Sequence, residues 1–160
     1  MNFKNLTATF LLLAICFACS SDDDSNDNNS NTNSAEQVAQ IAESGTWRIS
    51  SFIDSGQDET SDFNGYTFTF NNDGTLVASN GTNTIEGSWS VMDDNSNDSS
   101  DDDGNSTDDD DFIINFPVPE SNDFEDLNDD WDIVSVTTNR IELIDISGGN
   151  GGTDNLVFEK

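Results

Sequence analysis

The side chains that most often carry chemistry are nearly missing from this 160-residue chain. There is no His, so there is no imidazole to act as a base or a metal ligand. The only thiols are Cys16 and Cys19, both near the N-terminus. The cations are Lys4, Arg48, Arg140 and Lys160. No G-x-S-x-G, phosphate loop or zinc motif occurs. Carboxylates abound instead: 33 Asp and Glu, with a formal net charge of −29. A pair of carboxylates can cleave a glycosidic bond, but at this density adjacent pairs arise everywhere and single out none. The residue types therefore point away from catalysis, and a non-enzymatic protein is expected.

One stretch asks for a ligand of its own. Residues 93–111 hold ten Asp among nineteen positions, and the rest are mostly Ser and Asn. Such oxygen-only side chains suit Ca²⁺, which takes about 6–8 oxygen ligands. The best frame is Ser99-Ser100-Asp101-Asp102-Asp103-Gly104. It sets Gly104 at the sharp turn of an EF-hand-type loop, with Asp101, Asp103 and Asp110 as the candidate calcium ligands. The match is partial, because that loop wants an acid where Ser99 sits and a Glu where Asp110 sits. The plainer alternative is a solvated low-complexity insertion that attracts Ca²⁺ diffusely. No other cofactor is expected. So negative a chain repels nucleic acid phosphates and anionic lipid headgroups, which excludes both as expected partners.

The two thiols sit at the end of a short apolar segment. Lys4 precedes it, and Phe10-Leu11-Leu12-Leu13-Ala14-Ile15 forms its centre. The run from Leu6 to Ala18 is shorter than the ~20 residues a membrane span needs and has the length of a signal-peptide core. Its end, Cys16-Phe17-Ala18-Cys19, resembles a bacterial lipobox, with a small residue before the Cys that is lipidated. Ile15 is large and β-branched, so Cys19 is favoured over Cys16. The resemblance implies a signal peptide over residues 1–18 and acyl chains on Cys19 that anchor the rest to a membrane. Ser20-Ser21-Asp22-Asp23-Asp24 resembles the acidic export signal of Bacteroidota lipoproteins. That resemblance implies the outer membrane, at the cell surface rather than on the periplasmic face. After such processing no free thiol is left, so no disulfide is expected.

The remaining elements read in order. Residues 19–34 are the lipidated Cys and a polar, acidic stalk that buries too little to order itself. Residues 35–44 predict a short helix with Val38, Ile41 and Ala42 on one stripe, Ser34 as its cap and Gly45 as its stop. From Thr46 the period becomes two. Trp47, Ile49 and Ser51 share a face; Tyr66, Phe68 and Phe70 alternate with Thr; Ile85, Gly87, Trp89 and Val91 alternate with polar residues; so do Phe112, Ile114 and Phe116. Asn71-Asn72-Asp73-Gly74, Asn80-Gly81 and Thr138-Asn139 are turn signals. Residues 75–78, 131–137, 141–146 and 156–158 complete eight short strands. No helical segment is long enough for a parallel crossover. The expected fold is all-β: a small eight-stranded antiparallel up-and-down barrel with a short N-terminal helix, a split sandwich being the alternative. Trp47, Trp89 and Trp131 recur 42 residues apart, but their surroundings do not repeat, which excludes a propeller.

Gly45-Thr46-Trp47, Phe68-Thr69-Phe70 with Asp73-Gly74-Thr75, Gly87-Ser88-Trp89, and the closing Arg140-Ile141-Glu142-Leu143 and Leu156-Val157-Phe158 resemble, in that order, the small lipocalin-like domains of Bacteroidota lipoproteins. The resemblance implies a lipocalin-like domain over residues 35–160, interrupted by the acidic insertion 93–111, with ligand binding as a family property. The leading reading is a binding module for a small apolar ligand, lined by Trp47, Phe68, Phe70, Trp89 and Phe116. The alternative is a structural or interaction protein whose barrel is filled by those same rings. The protein partner of that alternative is not specified by the sequence.

Overall fold

Alternating apolar and polar residues give each strand one face to bury, and a run of such strands without crossover helices can only hide its edges by closing on itself. The computed structural model, which describes residues 34–93, 110–146 and 152–160, shows that closure. Helix α1 (Ala35–Glu43) is followed by β1 (Thr46–Asp54), β2 (Gln57–Asp58), β3 (Thr67–Phe70), β4 (Thr75–Ser79) and β5 (Thr84–Asp93). Next come β6 (Asp110–Asn115), β7 (Asp129–Thr137), β8 (Arg140–Ile146) and β9 (Thr153–Glu159). Each strand from β3 to β9 pairs antiparallel with its sequence neighbour. β1 pairs with β3 on one side (Trp47↔Phe68) and with β9 on the other (Ile49↔Phe158), which closes an eight-stranded barrel. The expected fold class is the observed one.

β2 was not foreseen. It is a two-residue strand folded back on the end of β1, with Asp54 opposite Gln57. The turn between them, Ser55-Gly56, has positive φ at both residues, 48° and 84°, as a tight hairpin turn of this hand requires. Ser55 is the non-glycine residue there, and its N–H donates to Asp154 Oδ1 at 2.6 Å.

The strand faces depart from strict alternation at two bulges. In β1 the register shifts between Ile49 and Ser51, so Phe52 turns inward opposite Leu156, off the alternation set by Trp47, Ile49 and Ser51. In β7 a similar shift between Ile133 and Ser135 leaves Val134 outside. Neither bulge carries a Gly or Pro to announce it.

Three other segments stopper the barrel. At one end lie the start of β1, the β3–β4 and β7–β8 hairpins and Lys160. Helix α1 sits there with Val38 and Ala42 fully buried, and the Trp47 indole N–H donates to Ala42 O at 2.8 Å. The helix ends differently from expectation. Ser34 gives its backbone carbonyl to Val38 N–H and makes no side-chain cap. Ser44, not Gly45, closes the last turn by donating from its hydroxyl to Ile41 O at 2.6 Å. At the other end, a 3-10 turn (Thr60–Phe63) and the connection from β6 to β7 bring in Phe63, Phe124 and Leu127, all buried.

Candidate functional site

The barrel interior is the place where a ligand would sit, and the five rings predicted to line it all point there. They do not line a space. Phe70 packs edge-on against Trp89 (5.1 Å between centroids), Phe112 (5.4 Å) and Phe158 (5.5 Å). Phe68 meets Phe158 at 5.4 Å and Phe124 at 6.1 Å. Phe116 meets Phe124 at 5.1 Å. A void of ligand size would leave accessible surface on the rings around it. Trp47 and Phe68 have none, Phe70 and Phe116 have 1%, and Trp89 has 6%. Apart from the tilted Phe68–Phe124 pair, these ring contacts are edge-to-face, a preferred geometry for aromatic pairs, each worth about 0.5–1.5 kcal/mol beyond burial.

Both buried Trp N–H groups that reach the stoppers are satisfied by them: Trp47 by Ala42 O and Trp131 by Leu127 O at 3.1 Å. Trp89 donates to Asn71 O in the β3–β4 hairpin at 2.9 Å. No buried side-chain N or O among the described residues lacks a partner. Among the described residues, the interior rings therefore pack against one another, and no buried side chain is left with an unmet hydrogen bond.

Sequence reasoning missed Phe52, Phe63 and Phe124 as interior rings. Phe52 was hidden by the bulge. Phe63 and Phe124 lie in irregular segments with no period to read, and only their aromatic character in otherwise acidic surroundings could have marked them.

Of the candidate calcium ligands, Asp101 and Asp103 lie outside the described residues. Asp110 is the first residue of β6, opposite Asp93 of β5. Among the described residues no three carboxylates converge on a point that could hold a metal ion.

Acidic groups crowd the end of the barrel away from α1. Partial burial first, then Asp54, Glu125, Asp123 and Asp62, raise the Asp126 carboxyl above its ordinary range. Glu59 is raised in the same way, by desolvation and then by Asp54, Asp126, Asp62 and Asp123. Asp129, opposite Ile114 on the inward phase of β7, is pushed up to about 7, chiefly by desolvation, with Asp130 and Asp145 beside it. Arg140 is held by Glu159 at 2.7 Å and Glu142 at 3.3 Å, so it is spent on ion pairs across β8 and β9. Lys160 donates to Ser44 Oγ at 2.8 Å and lies 4.4 Å over the Trp47 ring.

No family model matches this chain, and no curated protein matches it. Among solved structures it is similar to a DUF4847 family protein from Bacteroides vulgatus. The two are 21% identical over 76% of this chain and 96% of that one, with a TM-score of 0.44.

Proposed function

We propose that this chain is a lipid-anchored, non-enzymatic lipoprotein of the outer membrane, displayed at the cell surface, whose barrel is a solid support working through its exterior. The observation that carries the second half is the sealed aromatic interior. An eight-stranded barrel is a fold consistent with a binding module, but seating a small apolar ligand among Trp47, Phe68, Phe70, Trp89 and Phe116 requires displacing rings that already pack on one another. The first half rests on the Ala18-Cys19 site and the acidic residues that follow it. The calcium reading of Asp101, Asp103 and Asp110 rests on their side-chain chemistry.

Two measurements test this. The full chain, made in a bacterial host fed an alkyne fatty acid, is expected to carry label that Cys19→Ala removes and Cys16→Ala leaves. Label unaffected by Cys19→Ala would overturn the anchor. Native mass spectrometry of the purified lipoprotein is expected to give the acylated mass alone. A discrete additional mass lost on denaturation would restore the ligand-binding reading. Calcium added in the same measurement distinguishes one saturable site from a smear of adducts.

A further inference from the structure

The outward positions of the barrel are mostly Ser, Thr and acidic residues, and three large apolar side chains stand out among the described residues: Met92, Val134 and Ile146. Val134 and Ile146 are 53% and 51% exposed. They fall on the outer face of β7 and β8, with half-buried Ile144 two residues before Ile146 on the same strand and Ile53 two strands away on β1. The registers align one continuous row across five strands: Asp132 opposite Ile144, Ile144 opposite Asn155, Asn155 opposite Ile53, and Ile53 opposite Asp58. Ile144 and Ile53, with Asn155 between them, are thus bracketed by carboxylates about 19 Å apart, taking about 4.8 Å per strand.

From this row we propose that the β7–β8–β9–β1 face docks a cationic amphipathic helix of a partner protein, its apolar stripe on Val134, Ile144, Ile146 and Ile53 and its Lys or Arg against the flanking carboxylates. Charge complementarity selects this occupant. A second copy would bring its own Asp132 and Asp58 against the same residues, in a chain of net charge −29, and like charges at that range repel. An anionic bilayer is repelled for the same reason, and surfaces that lie on membranes present cations beside their apolar residues, not acids. A helix with apolar residues three and four apart and basic residues around them satisfies both the centre and its flanks. This inference rests on the reading that the barrel works through its exterior.

The test uses the full lipoprotein in phosphatidylcholine nanodiscs, with empty discs as reference. The probe is an 18-residue peptide with Leu along one helical face and Lys elsewhere, set against a shuffled peptide of identical composition. Saturable one-to-one binding is expected, at least tenfold tighter than for the shuffled sequence. The triple variant Val134→Ser/Ile144→Ser/Ile146→Ser should lose that preference. A second variant, Asp58→Asn/Asp132→Asn, leaves the apolar centre intact and should weaken binding and flatten its salt dependence. Equal binding of both peptides, or unchanged binding by the triple variant with its melting curve intact, would overturn the proposal. So would a dimer that forms without peptide and is dissociated by the triple variant. The mass measurement above reports on the interior alone, so a ligand found there would sink the solid-barrel reading without touching this result.

Discussion

At the scale of single residues, Asp129 is the group whose titration reports on folding. Its carboxyl is raised to about 7 in the fold, against an ordinary 3.8, chiefly because β7 carries it partly out of water. Below about pH 4 it is protonated folded or unfolded and contributes no penalty. Between those values the unfolded chain releases the proton first, so stability falls as pH rises, and above pH 7 the whole penalty is present. Thermal unfolding is therefore expected at lower temperature at pH 8 than at pH 5. Asp129→Asn should raise stability at pH 8 by about 1 kcal/mol, solvent screening limiting the gain, and do little at pH 4. A variant that shifts both pH values equally would show that Asp129 is not the titrating group. The inward placement of Trp47, Phe68, Phe70, Trp89 and Phe116 was legible in the sequence because alternation alone sets it. Whether they enclose a space was not legible, because that depends on Phe63 and Phe124 arriving from segments without a period.

At the scale of elements, the parts that close the barrel are the least regular ones. α1 has nine residues, too few to persist alone, and holds because Val38 and Ala42 are buried on the barrel end and the Trp47 indole N–H donates to the Ala42 carbonyl. Val38→Asp buries an uncompensated carboxylate, so about 2–4 kcal/mol of stability should be lost in urea titrations. Trp47 emission should shift to the red in native buffer as the helix lifts. An unshifted spectrum would mean the helix is not what shields Trp47. Asn128 shows the same reliance on irregular partners: its side-chain amide donates to Phe116 O at 3.0 Å and its carbonyl accepts from Phe116 N–H, continuing the ladder where β6 has ended. Gly87 is a case the alternation did mark without explaining. It occupies an inward position where a Cβ would meet the Asn115 carbonyl and lie 2.7 Å from Phe116 Cδ1, so the ring of Phe116 fills the place of its missing side chain. The hairpins at Asn71–Gly74 and Asn80–Asn83 were legible because their Asp and Asn side chains accept local backbone N–H groups, as Asp73 does from Thr75 and Asn80 from Thr82. The Ser55-Gly56 turn carried a similar dipeptide signal.

At the scale of the whole molecule, charge and closure dominate. Strands meet with Asp opposite Asp at Asp111↔Asp132 and Asp145↔Asp154, pairings that cost stability unless screened. With a net charge of −29, added salt should stabilise this protein. Its melting temperature is expected to rise by several degrees between 0.01 M and 1 M NaCl, as the Debye length falls from about 30 to about 3 Å. A flat response would mean the carboxylates are already compensated locally.

The pairing of β1 with β9 has a consequence in time. Ile49 and Phe158 are joined across almost the entire folded sequence. A chain made from its N-terminus therefore carries β1 with one flank unmatched until residues 153–159 exist, and no seven-strand intermediate can seal the aromatic interior. Contacts this distant in sequence place the main barrier to folding late and make the reaction slow, on the order of milliseconds to seconds. Until β9 pairs with β1, a refolding chain is expected to leave its aromatic interior open to dye and protease, and to seal only when that last strand is in place.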